Sequence, residues 1–144
     1  MSNSASWLPW ALGSAAFAAW TAIFAKIGLQ AIDSDMATLI RVVIILAVLA
    51  AFVFATGKWV DPTVIPGRSW LYLALSALAT GASWVCYFRA LKVGPASQVA
   101  PVDKLSVVLV AIFAVTLLGE RPSAGAWVGI ALVSVGAVGL ALAA

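Results

Sequence analysis

Between Trp7 and Ala143 the chain repeats one pattern five times: an apolar stretch about long enough to cross a bilayer, then a short break rich in Gly, Pro or charge. An α-helix rises about 1.5 Å per residue and the hydrocarbon slab is about 30 Å thick, so about 20 apolar residues make one crossing. Stretches of that kind occupy about 7–26, 36–56, 69–91, 96–118 and 124–143. Asp33, Ser34 and Asp35 supply the first turn, Pro62, Pro66 and Gly67 forbid a helix through the loop 57–68, Gly94 and Pro95 precede the fourth stretch, and Gly119 to Ser123 make a polar turn before the fifth. The expected fold is all-α, an integral membrane bundle of five transmembrane helices in a single domain over 1–144.

Composition narrows the chemistry. Hydrophobic residues make up 65% of the 144 and charged ones 9%, against about a quarter charged in soluble domains, so lipid is the expected solvent and a plasma or inner membrane the expected location. Histidine is absent and Cys86 is the lone cysteine, which removes disulfides, thiolate zinc clusters and Cys/His nucleophile pairs from one chain. No Gly-rich phosphate loop is present. We therefore expect no enzyme, metal or cofactor. The net charge of +3 is scattered without a basic run, so no nucleic-acid partner is expected. Met1 to Ser6 lack the basic region of a secretory signal, and the apolar run that follows is expected to be retained as a span.

With an odd number of spans, the two termini lie on opposite sides. Trp7, Trp10, Trp59, Trp70 and Trp127 all fall at span ends on the amino-terminal side, side A, where amphipathic rings anchor among headgroups. Side A carries Lys58, Arg68 and Arg121; side B carries Lys26, Arg41, Arg89 and Lys92, with Lys104 deeper. Three cations against four is nearly no bias. Either charges buried in protein do not count and one orientation wins, or subunits insert both ways.

An ionised side chain near the membrane centre costs about 2.5–3.5 kcal/mol on insertion scales, so one that persists faces protein or a watery cavity. Asp103 and Lys104 lie about 10–12 Å into the fourth span. As neighbours they point about 100° apart, so each is expected to find a partner on another span; Asp103 shares a face with Ser106 and is the one deep carboxylate available for proton coupling. Arg41 or Arg89 is expected to neutralise Asp103, leaving positive charge that favours anionic or zwitterionic substrates. The competing expectation is that Arg41, Arg89 and Lys104 snorkel to headgroups or form a fixed lock. Trp20, Trp84 and Tyr87 suit either a cavity for organic molecules or helix packing. Pro101 frees a carbonyl near Ser97, as broken helices do beside transport sites, or simply kinks the span. Small residues form two stripes, Ala15, Ala18, Ala19, Ala22 and Lys26 in the first span and Gly125, Gly129, Gly136 and Gly139 in the fifth. The first is expected to pack inside the subunit, and the second to pack there or form a dimer seam.

The stretch Arg89-Ala-Leu-Lys-Val-Gly-Pro-Ala-Ser-Gln-Val-Ala-Pro101, the Leu-Leu-Gly119-Glu120-Arg121 turn, the Lys26 closing the first span and the Gly-rich last span together resemble the EamA domain of the drug/metabolite transporter superfamily. The resemblance covers the whole chain. It implies half of a ten-helix inverted-repeat transporter, whose site near the midplane would be completed by an antiparallel homodimer. The implied function is secondary transport, in the export direction, of small organic metabolites or drug-like compounds by alternating access at a dimer-interface cavity, with the lipid bilayer and the substrate as partners. The first-span glutamate of the related small multidrug resistance proteins has no counterpart here, so their proton-for-drug mechanism is not carried over. The alternative is a non-transporting scaffold or accessory subunit whose charges only lock helices.

Overall fold

Each apolar stretch is helical in the computed structural model, which describes residues 6–143. The helices are α1 (Leu8–Gly28), α2 (Ser34–Ala55), α3 (Gly67–Val93), α4 (Ala96–Asp103), α5 (Ser106–Leu117) and α6 (Ala124–Leu142), with a 3₁₀ turn at Pro62–Val64. Counting α4 and α5 as one span, five are long and apolar enough to cross a membrane. The reading of Met1 to Ser6 falls mainly on residues 1–5, outside the described residues.

The helix ends follow from local chemistry. Asp33 Oδ1 accepts from the backbone N–H groups of Asp35 at 2.9 Å and Met36 at 3.3 Å, which starts α2 at Ser34, two residues before the expected Met36. Gly57 and Gly119, at φ 65° and 70°, take the left-handed conformation just beyond α2 and α5, where any residue with a Cβ would be strained. Ser123 Oγ accepts from Ala126 N–H at 3.2 Å and opens α6. Within the spans, Thr38, Thr80, Thr116 and Ser134 each donate a hydroxyl to the carbonyl four residues back, which leaves no stray donor facing lipid at these positions. In the loop, Asp61 Oδ1 accepts from the Thr63 N–H at 2.9 Å and its hydroxyl at 2.8 Å. Those two bonds, the backbone one first, hold the Asp61 carboxyl below its usual value. Its capping contribution is thus present above a pH of about 4 and is lost as pH falls through the lower folded-state value.

The described residues form two compact units. One joins α1, up to Lys26, with everything from Val93 onward; in it α4 and α5 pack against α6, and Ala22, Ala111 and Ala137 are buried. The inward side of α6 is Ile130, Ser134 and Ala137, an i, i+4, i+7 row. Gly125, Gly129, Gly136 and Gly139 lie on the opposite side and are exposed; a Cβ added at Gly129, Gly136 or Gly139 would meet nothing within 4 Å. Among the described residues, the glycine stripe therefore makes no close contact within this unit. Along the α1 stripe Ala22 is buried and Lys26 half-buried, whereas Ala15, Ala18 and Ala19 are exposed.

The other unit runs from Ile27 to Lys92 and contains α2 and α3. Leu91, Leu29 and Phe88 are 0%, 1% and 2% exposed and, with Ser34 and Thr38, put its core at the start of α2 and the end of α3. The other half of α3 is exposed throughout, including Leu71, Tyr72, Leu73, Leu75 and Leu78, an apolar surface suited to acyl chains. Trp59 stacks on Phe54 at 4.5 Å and Trp70 Nε1 donates to the Pro62 carbonyl at 3.3 Å. Both rings are exposed, as are those of Trp7, Trp10 and Trp127 in the first unit, in keeping with residues that face headgroups.

Candidate functional site

Three cations of the 27–92 unit reach across to another element. Arg89, one turn before the end of α3, holds Asp35 in the first turn of α2 with two bonds, Nε to Oδ1 at 2.9 Å and Nη2 to Oδ2 at 2.6 Å. That bidentate fork is a geometry lysine cannot supply. Lys92 Nζ donates to the carbonyls of Leu29 and Ile32, at 2.9 Å for the latter, and so closes the turn between α1 and α2. Arg41 lies over the Trp84 ring, 4.5 Å from its centroid, and 5.2 Å from that of Phe88. The Tyr87 ring meets Phe88 edge-on at 6.2 Å. Within this unit Arg89, one of the two arginines expected to neutralise Asp103, is engaged by Asp35, and the other, Arg41, by aromatic faces.

In the first unit Lys26 Nζ donates to the Gly94 carbonyl at 2.9 Å, tying the end of α1 to the turn that opens α4. Asp103 closes α4 and pairs with its own neighbour, Lys104 Nζ to Asp103 Oδ2 at 3.1 Å. This corrects the expectation of separate partners on other spans. The four-carbon stem of lysine is long enough to curl back across the angle between adjacent positions. The Lys104 and Asp103 side chains are 59% and 36% exposed within the chain, about 10 Å inside the span by helical rise.

The backbone explains the pair's position. Lys104 N–H bonds to the Pro101 carbonyl and Leu105 N–H to that of Val102, both at 3.0 Å, and Val107 and Val108 repeat the three-residue spacing. The helix tightens into a 3₁₀ step at Lys104 and Leu105 rather than opening. Pro101 sits inside α4, and the interruption falls a turn beyond it, not at the Ser97 carbonyl. Ser106 begins α5 and is exposed. Trp20 is 60% exposed and stacks on Phe24 of its own helix at 5.4 Å. The structure thus groups Arg41 with Trp84, Asp103 with Lys104, and Trp20 with Phe24. The sequence reading missed Asp35 and Phe88 as partners of the arginines. Their signal was present: Asp35 and Arg89 both lie within about one turn of span ends on side B, and Phe88 is one turn from Trp84 on α3.

Residues 5–142 match the EamA-like transporter family. A Sinorhizobium sp protein described as "Uncharacterized transporter in cobO 3'region" is 62% identical over 139 residues, covering 96% of this chain and 99% of that one. No solved structure matches.

Proposed function

The chain belongs to the EamA-like transporter family and is an integral, multi-pass membrane protein, and on that premise we propose that it is a secondary exporter of small organic metabolites or drug-like compounds. One observation carries this reading beyond the family: an ion pair about 10 Å inside a span, with much of both side chains uncovered by the chain, at a step in the helix. Lipid is a poor cover for two charges, so a watery cavity or a second subunit faces them. A cavity of this kind gives a solute polar contacts about a third of the way across the bilayer, and a carboxylate there is placed to exchange a proton with it. No nucleotide is consumed in this scheme. The partner is a second, antiparallel copy, supported by the near balance of cations on the two sides and by the open glycine side of α6.

Reconstitution tests both parts. In proteoliposomes with an imposed pH gradient, Asp103→Asn is expected to lower uptake of a transported compound at least about tenfold, the effect of losing one charge-assisted contact worth roughly 1.5–3 kcal/mol, with wild-type thermal stability. Undiminished flux in Asp103→Asn sinks the assignment. Stability and flux falling together, both restored by also neutralising Lys104, favours the scaffold reading instead. Reporter fusions to the carboxyl terminus are expected to show both orientations; a single orientation rules out the antiparallel pair.

A further inference from the structure

Of the cations a turn or more inside a span, Lys104 is held by Asp103 and Arg89 by Asp35, but Arg41 meets no carboxylate among the described residues. It stands seven residues into α2, about 10 Å from Ser34, and is half-buried. What it does meet is aromatic: the Trp84 ring at 4.5 Å and the buried Phe88 ring at 5.2 Å. A guanidinium lying over a ring spends its face on the contact, while its N–H donors point outward along its edge. Lys26 and Lys92, the cations at the ends of their helices, both find backbone carbonyls, whereas the Arg41 guanidinium lies against ring faces, with Tyr87 also within electrostatic reach. The aromatic contacts also fix the plane of the group, so its donors form a preset fork of the kind that takes a carboxylate with two parallel bonds.

We infer that Arg41, set against Trp84 and Phe88, is a binding site for the carboxylate of an organic monoanion. This rests on the transporter reading and adds the substrate class to it. A single cation without a nearby carboxylate matches one negative charge, and the rings beside it match an apolar or aromatic body. Cationic amphiphiles are disfavoured at this position by the same charge. The site lies wholly within residues 27–92 and shares no residue with the Asp103–Lys104 pair, so the two can be tested by separate substitutions.

The probes are benzoate, its neutral isostere benzamide, and benzylammonium, measured by isothermal titration against the purified protein in phosphatidylcholine nanodiscs. Benzoate is expected to bind, with benzamide and benzylammonium at least about tenfold weaker. Arg41→Gln is expected to abolish benzoate binding, and Arg41→Lys, which keeps the charge but not the fork, to weaken it about tenfold or more. Lys58→Gln, in the loop 57–68 and part of neither proposed site, serves as the control and should leave benzoate binding intact. Equal affinity for benzoate and benzamide, no benzoate binding, or benzoate affinity unchanged in folded Arg41→Lys and Arg41→Gln overturns the proposal. A lipid phosphate would meet the same donors, so the titration is repeated in phosphatidylglycerol-rich discs. Unchanged benzoate affinity there supports a soluble anion, and its loss assigns Arg41 to headgroups and overturns the proposal. Flux that depends on Asp103 but not on Arg41 removes this inference and leaves the transporter standing; benzoate binding without any flux does the reverse.

Discussion

The charges of α2 and α3 and those at the α4–α5 step are tied in opposite ways. Arg89 and Lys92 reach out of their own helix to a carboxylate or carbonyl elsewhere in the 27–92 unit, beside a core where Leu29, Phe88 and Leu91 are buried. Asp103 and Lys104 pair with each other, one residue apart, with much of both side chains uncovered among the described residues. A cross-helix tie fixes two elements relative to one another; a tie between neighbours fixes nothing beyond its own turn and can be exchanged for another partner at little cost. The first arrangement suits a rigid support, and the second leaves its charges able to change partner.

Substitutions can break or sharpen that contrast. The largest effect is expected from Phe88→Ala, which empties the centre of the 27–92 core and removes one ring beside Arg41. Thermal unfolding in detergent should show a loss of about 3–5 kcal/mol, as for buried aromatics elsewhere, and a change below about 1 kcal/mol would mean that this core is not the support it resembles. Next comes the Asp35–Arg89 pair. Asp35→Ala and Arg89→Ala should each lower the melting temperature, and the exchanged pair Asp35→Arg with Arg89→Asp should recover part of the loss; independent, additive losses in a double-mutant cycle would show no coupling across the helices. The smallest change is expected at the step: Asp103→Asn should alter stability by less than about 1 kcal/mol, the range of exposed pairs, although transport falls. A loss as large as that of Phe88→Ala would move this pair into the same class as the lock.

What the sequence made legible follows the physics that sequence carries. Span number, length and turn positions depend on apolar runs and on Gly, Pro and capping residues, and each span boundary fell within about two residues of its expected place, except that the fourth span is divided. The division escaped because Pro101 displaced the irregularity a turn onward, to residues with no breaking tendency of their own. Partner choice was harder. Charge spacing suggested that Asp103 and Lys104 would diverge, but helical angle alone ignores the reach of a lysine stem. The arginine contacts depended on which residues of α2 and α3 face one another, which a single sequence does not encode locally.

The 3₁₀ step at Lys104 and Leu105 also acts on orientation. An α-helix turns about 100° per residue and a 3₁₀ helix about 120°, so two tightened residues advance everything beyond them by about 40°. Ala111, the buried residue of α5, and the rest of its face therefore look in a different direction from the one a continuous helix starting at Ala96 would give them. The fourth span behaves as a screw with a fixed phase offset halfway along its thread, and the side chain at which the offset begins is one member of its only ion pair among the described residues.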